Sequence, residues 1–273
     1  MKKKWKNSQH KRHPITTVTQ CRVPIFWPTN KPPRSKKAGD FIIKNQWGQA
    51  VIKNCKLTQV HRNLLDVIFT YHHGLCHNKD GCVSFLIDLY EIQNLLQVEA
   101  TNHSWVFRKL EELRKTAFIT ETKKWVITGG IVRKHKYSEI DAGHTPDKFG
   151  PNKLYYVMFE AEFMKFFNLD MHMTYFPMVE KIINLKHPVS QALVRFCLSH
   201  TRLNMDLETI LTNLGVFRPE LDRPRKVRIL QQLFLESEVL IKEFGIYINP
   251  MKNKRLGVFY TKHKEVWLEL PPP

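Results

Sequence analysis

Acidic residues are scarce in this chain. It has 25 Asp and Glu against 43 Lys and Arg in 273 residues, a formal charge of +18. Residues 1–60 hold a single acid, Asp40, against 14 Lys and Arg. This imbalance points to a polyanionic partner, either nucleic acid or an anionic membrane surface. Long apolar runs are also missing. No stretch approaches the ~18 apolar residues that span a bilayer, and no secretory core follows the N-terminus, so no membrane partner is expected. The cysteines, at 21, 55, 76, 82 and 197, are odd in number and irregularly spaced. That pattern fits a reducing cytoplasm rather than a disulfide framework.

Chemical motifs are missing as well. There is no Gly-x-x-x-x-Gly-Lys-Ser/Thr loop, which argues against ATP hydrolysis. A DNA-nicking initiator would need a tyrosine, such as Tyr260, Tyr155 or Tyr156, beside a His-hydrophobic-His strand. The only paired histidines, His72 and His73, sit at the end of a helical pattern. His72, His73, Cys76, His77 and Cys82 fall within 11 residues, a composition that can bind zinc. Their spacing matches no familiar finger, and a His-rich helix end followed by a turn explains them as well. The chain is therefore expected to be no enzyme and to need no cofactor or metal.

What is present is a pattern written twice. One copy runs from Ser84 to Lys134 and the other from Leu198 to Lys262. Each has a short amphipathic helix, a polar turn, a longer amphipathic helix, a strand, a basic turn and a second strand. That order is a winged helix, with the longer helix sized for a DNA major groove and the basic hairpin as the wing. The expected class is α+β: tandem winged-helix domains preceded by a basic, largely disordered arm. The expected boundaries are 1–39 for the arm, 40–175 for the first domain and 176–273 for the second. Five prolines and the runs "KKKWK", "HKRH" and "PPRSKK" mark the arm. Within it, "VPIFWP" (Val23–Pro28) is apolar enough to dock on the folded part or to bind a partner. In the first domain, Leu57–His73 reads as a helix with Thr58 as N-cap, and Gly129-Gly130 reads as a hairpin turn.

Candidate DNA contacts follow from this order. The first long helix, near Ser104–Thr116, opens with Asn102, His103 and Ser104 and presents Arg108 opposite a buried stripe of Val106, Leu110, Leu113 and Ala117. Lys123, Lys124, Arg133 and Lys134 surround its hairpin. The second long helix follows Arg218 and opens with Arg223, Arg225, Lys226 and Arg228, with Asp222 as cap and Pro224 in the first turn. Val227, Leu230, Phe234, Ile241 and Phe244, widened by Leu233 and Leu240, read as its core stripe. Lys252, Lys254 and Arg255 sit in its wing. Recognition helices touch bases with their N-terminal residues, and Arg can bind guanine O6 and N7 in a bidentate fashion. Wing cations usually meet backbone phosphate. "QQLFL" (Gln231–Leu235) loosely resembles peptides that dock on sliding clamps, but its place in the stripe favours packing. A winged-helix transcription regulator is the alternative reading, because fold alone does not set function.

The run from "LYYVMFEAEFMKFF" through "PVSQALVRFCLSHTRLNMDLETILTNLGV" to "RKVRILQQLFLESEVLIKEFGI" resembles the C-terminal unit of iteron-binding plasmid replication initiators of the TrfA-like group. The similarity covers about 58–270 in element order and is densest over about 154–248. The basic arm is not part of it, and Pro219 and Pro224 interrupt the recognition-helix region. The resemblance implies a bacterial cytoplasmic protein associated with plasmid or nucleoid. Such a protein binds direct repeats in double-stranded DNA, promotes origin opening and recruits host initiator, replicative helicase and sliding clamp. It also implies a possible homodimer.

Overall fold

A computed structural model describes residues 6–7, 13–28, 41–99, 103–141, 153–251 and 255–269. The fold is mixed α+β, and its sheets are antiparallel. The chain starts with β1 (Lys6–Asn7), β2 (Thr16–Thr17) and the short helix α1 (Val18–Arg22). A capping box opens α1. Gln20 Oε1 accepts from the Thr17 N–H at 3.2 Å, and Thr17 Oγ1 accepts from the Gln20 N–H at 3.5 Å. Ile15, Val18, Cys21, Val23, Ile25, Phe26 and Trp27 are all buried. The disordered arm expected over 1–39 is thus corrected for residues 13–28, and "VPIFWP" docks on the fold. Burying a large apolar side chain stabilises by ~1.5–3 kcal/mol, and this burial opposes the entropic cost of ordering the segment. The basic runs around it lie outside the described residues.

Next come β3 (Phe41–Asn45), β4 (Gly48–Lys53), α2 (Gln59–Thr70), β5 (Gly74–His77), β6 (Val83–Ile87), α3 (Leu89–Leu95) and α4 (His103–Lys115). They are followed by β7 (Ala117–Glu121), β8 (Val126–Gly130), β9 (Val132–Asp141) and β10 (Lys153–Phe159). These strands form two sheets, ordered β3-β4-β7-β8 and β1-β5-β6-β10-β9. The expected turn at Gly129-Gly130 is corrected: both glycines are strand residues paired with Phe118 and Ala117. The hairpin turns at Thr122–Trp125, where the Thr122 N–H donates to the Trp125 carbonyl at 2.9 Å. Glycine is needed at 129 for another reason. A Cβ there would come 2.5 Å from Glu162 Cβ.

The chain continues through α5 (Ala161–Met164), α6 (Phe166–Leu169), β11 (His172–Thr174), a 3-10 turn (Phe176–Met178), α7 (Val179–Ile183) and α8 (Pro188–Leu198). Then follow β12 (Arg202–Asp206), α9 (Leu207–Asn213), α10 (Arg223–Leu235), α11 (Ser237–Phe244), β13 (Tyr247–Pro250), β14 (Leu256–Thr261) and β15 (Trp267–Glu269). The second unit's sheet is ordered β12-β14-β13. A further sheet, β15-β11-β2, gathers strands from both ends and the middle of the chain, across the 175/176 boundary read from the sequence.

α2 and α8 meet through a buried polar network. Asp66 receives Arg195 Nε at 2.8 Å and the Tyr175 hydroxyl at 3.0 Å, both on Oδ2. Arg62 Nε lies 2.9 Å from its Oδ1 as an ion pair. Arg195 also donates to Gln59 Oε1 (2.9 Å) and Asn63 Oδ1 (2.7 Å). Buried charges persist where they are paired and hydrogen-bonded, and this network supplies both. The hydrophobic core is continuous through both units around it.

Candidate nucleic-acid interface

α10 is the most exposed basic helix of the fold's second unit. Asp222 caps it by accepting from the Arg225 N–H at 2.9 Å, and Pro224 occupies the first turn, where a missing N–H costs nothing. Arg223, Arg225 and Arg228 are exposed, and Lys226 is half-buried. The acids near them are few: Asp222 lies 3.4 Å from Arg225 Nε, and Glu208 lies 3.3 Å from Lys226 Nζ. Arg223 and Arg228 have no ion pair among the described residues. Four cations thus gather within six residues at a helix N-terminus, which carries partial positive charge of its own. Such a surface attracts an extended polyanion.

The expected stripe along this helix holds only in part. Leu233, Leu240 and Phe244 are buried and Leu230 is half-buried, but Val227, Phe234 and Ile241 are 40–45% exposed. The helix breaks at Glu236, which is buried and accepts from the Lys186 N–H at 2.6 Å. That anchor ends α10 and changes the phase of α11. In "QQLFL" only Leu233 is packed away, while Leu235 is 78% exposed, so the packing expected for the whole motif is corrected.

Arg218 stands apart from the cluster. Its guanidinium lies 4.4 Å from the Trp27 ring centroid, half-buried against the N-terminal segment, and burial lowers its pKa. Arg255, at the base of the β13–β14 hairpin, is exposed. Lys252 and Lys254 lie outside the described residues.

In the first unit, Ser104 and Arg108 are exposed on α4. Asn102 and the His103 side chain lie outside the described residues. The other α4 charges are largely tied to one another. Glu111 holds Arg114 (2.6 Å) and Lys115 (3.5 Å), and Glu112 holds Lys109 (2.8 Å) and His61 Nε2 (2.6 Å). These bonds, the one from Arg114 foremost for Glu111 and the one from His61 foremost for Glu112, hold both carboxyls down at about 2. Phe107 packs on Tyr137 and Tyr155, so α4 is also held against β9 and β10.

Lys123 and Lys124 are exposed in the β7–β8 turn. Arg133 and Lys134 lie on β9, in a different sheet. Arg133 binds Asp80 and the Cys82 thiol, and Lys134 Nζ lies 5.9 Å from the Tyr156 ring centroid. The structure therefore separates the four cations that the sequence grouped into one wing. Among the described residues no group of three His, Cys, Asp or Glu is arranged to hold a metal ion, and no helix is long and apolar enough to cross a membrane.

No family model matches the chain, and no curated protein matches it. Solved structures do. A crystal structure of domains 2 and 3 of RctB, a Vibrio replication initiator, as its selenomethionine derivative, superposes with a TM-score of 0.53 at 13% identity, over 95% of this chain and 100% of that one. A second structure of RctB domains 2–3 gives 0.48 at 13% identity over 91% and 98%. The likeness shows that this chain shares the overall fold of RctB domains 2 and 3.

Proposed function

We propose that this chain is a DNA-binding replication initiator whose two units are winged helices. α2, α3, α4 and the β7–β8 hairpin would form the first; α8, β12, α9, α10 and the β13–β14 hairpin would form the second. The observation that carries this reading is the Arg223/Arg225/Lys226/Arg228 cluster, exposed at the N-terminus of a helix that follows a shorter helix and precedes a β-hairpin. The β12-β14-β13 order, with β14 central and β13 at the edge, suits a wing beside that helix. In this reading α10 enters a major groove, Arg225 and Arg228 meet guanine edges, and Lys123, Lys124 and Arg255 meet phosphates.

The finer identity belongs to the same proposal. The chain is TrfA-like, binds direct repeats in a plasmid origin, promotes opening of adjacent DNA and recruits host initiator, helicase and sliding clamp from the bacterial cytoplasm. It acts without catalysis, through binding alone, as a monomer or homodimer. Footprinting on DNA flanking its own gene tests this. Protection of regular direct repeats spaced near whole helical turns is expected. One isolated palindromic operator, with no repeats, would reassign the chain to transcriptional regulation. Conversion of a supercoiled origin plasmid to nicked circle with Mg²⁺, lost in Tyr260→Phe, would overturn the non-enzymatic part.

A further inference from the structure

α1, α2 and α8, with Pro24, Phe26 and Leu214, line a small, partly open cavity between the N-terminal segment and the polar network. Its water-accessible volume is ≈ 20 Å³, and its polar lining comes from Gln20, Cys21, Gln59, Arg62 and Arg195. One water-sized occupant needs about 10–15 Å³, so the innermost space suits a single small species.

The lining is rich in donors and poor in acceptors. Guanidinium groups do not deprotonate in proteins, so Arg62 and Arg195 are both cations. Their side chains are only 4% exposed, and the carboxylate they share, Asp66, does not line the cavity. Two buried cations therefore face one buried anion. The buried Gln20 Nε2 has no hydrogen-bond partner among the described residues, and Arg62 Nε has none beyond its ion pair with Asp66. The side-chain acceptors are already engaged. Gln59 Oε1 receives Arg195 Nη1 at 2.9 Å, and Gln20 Oε1 receives the Thr16 hydroxyl at 2.8 Å and the Thr17 N–H. The Cys21 thiol stays protonated, because burial pushes its pKa up to about 11. A water here would find donors for its oxygen and few acceptors for its two hydrogens. A monatomic anion only accepts, and it also cancels the excess charge, which is costly to bury unpaired.

We propose that this cavity binds one halide-sized monatomic anion, coordinated by Arg62 and Gln20, which pins the N-terminal segment to α2 and α8. The proposal concerns the fold's stability and is independent of any role in DNA binding.

Thermal unfolding of the intact, DNA-free protein tests it, in sodium chloride, bromide or methanesulfonate at matched ionic strength. Chloride and bromide should raise Tm saturably by about 2–6 °C above methanesulfonate, which is too large for the innermost space. Gln20→Glu keeps the acceptor that caps α1 and replaces the orphan amide by a carboxylate, so its Tm should no longer respond to halide. Equal Tm values in the three salts, or an undiminished halide response in Gln20→Glu, would overturn the proposal. Crystals of the wild-type protein grown in bromide give a reading that does not depend on the variant folding. An anomalous peak between Arg62 and Gln20 supports the site, and an ordinary water there without anomalous signal refutes it.

Discussion

α4 and α10 are each 13 residues long and occupy matching places in their units, yet they are built in opposite ways. α4 buries Val106, Leu110 and Leu113 completely, packs Phe107 on β9 and β10, and neutralises most of its cations with Glu111 and Glu112. α10 buries Leu233 alone and leaves Arg223, Arg225 and Arg228 outside. One helix spends its surface on holding the fold together, and the other leaves its cations exposed. Similar sequence patterns can therefore place a helix in the framework or leave its charged face in solvent. The deciding features are the acids one turn away and the second face that α4 must satisfy. On the DNA-binding proposal, α10 carries more of the sequence reading than α4.

The largest expected effect lies in the joint between the units. Arg195→Ala leaves Asp66 buried with a weakened set of partners, and breaking such a pair costs ~3–5 kcal/mol. Because the network and core are shared, both units should lose stability together. Chemical denaturation followed by tryptophan fluorescence and by far-UV circular dichroism should give coincident transitions at a lower midpoint. Separate transitions for the two probes would show that α4 and α10 belong to independently stable bodies. Next in size is a direct contrast of the two helices. Leu110→Ala in α4 should cost ~2–5 kcal/mol through cavity formation, whereas Leu235→Ala in α10 should stay within ~0.5 kcal/mol. Comparable losses at both positions would mean that Leu235 is covered in solution.

Much of this contrast was legible in the sequence, and the failures have physical causes. The 3.6-residue spacing of Val106, Leu110 and Leu113 placed the α4 stripe, and all three are fully buried. The same periodicity misplaced Val227, Phe234 and Ile241, because it assumed one unbroken helix. The break at Glu236 depends on a backbone bond from Lys186, 50 residues away, which no local pattern carries. Gly129-Gly130 looked like a turn because paired glycines usually supply positive φ; here the pressure for glycine at 129 comes from Glu162 across the fold. Charge and proline content hid the core segment 13–28, since the basic runs on either side dominate any composition window. The cluster on α10 was visible because Arg, Arg, Lys and Arg fall together just after a cap. The cavity beside Arg62 was invisible, because its polar residues come from three distant helices.

The DNA-binding proposal sharpens the comparison further. Arg225→Ala and Arg228→Ala should each lose ~1–3 kcal/mol on the cognate repeat and less on random duplex, as loss of a base contact requires. Arg108→Ala in α4 should cost less on the cognate repeat than either. Lys124→Ala, in the β7–β8 turn, should weaken both DNAs about equally and reduce the log–log salt slope by ~0.9 if it meets one phosphate. Gel-shift or fluorescence titrations at matched ionic strength check all four. Equal losses on cognate and random DNA for both α10 arginines would move the reading role to α4 or to the basic N-terminal residues.

The smallest expected effect separates the helices by pH. Glu112 fastens α4 to α2. The neutral His61 ring accepts the Thr58 N–H on Nδ1 at 3.0 Å, which leaves its Nε2–H to donate to Glu112 at 2.6 Å. This tautomer agrees with the lowering of the His61 pKa by burial. The bond from His61, helped by Lys109, holds the Glu112 carboxyl at about 2, below its ordinary value of 4.5. A carboxyl whose folded pKa lies below its unfolded one adds stability that is fully present above pH 4.5. That stability drains away as pH falls toward 2, because the unfolded chain takes up the proton first. Glu112→Gln keeps an acceptor for the His61 N–H but cannot titrate. The variant should be less stable than wild type at neutral pH, and the gap should narrow steadily between pH 4.5 and 2. The measurement is a series of denaturation curves across that window. A gap that stays constant would mean that the carboxylate charge contributes nothing, leaving α4 held by its apolar stripe and by Phe107 alone.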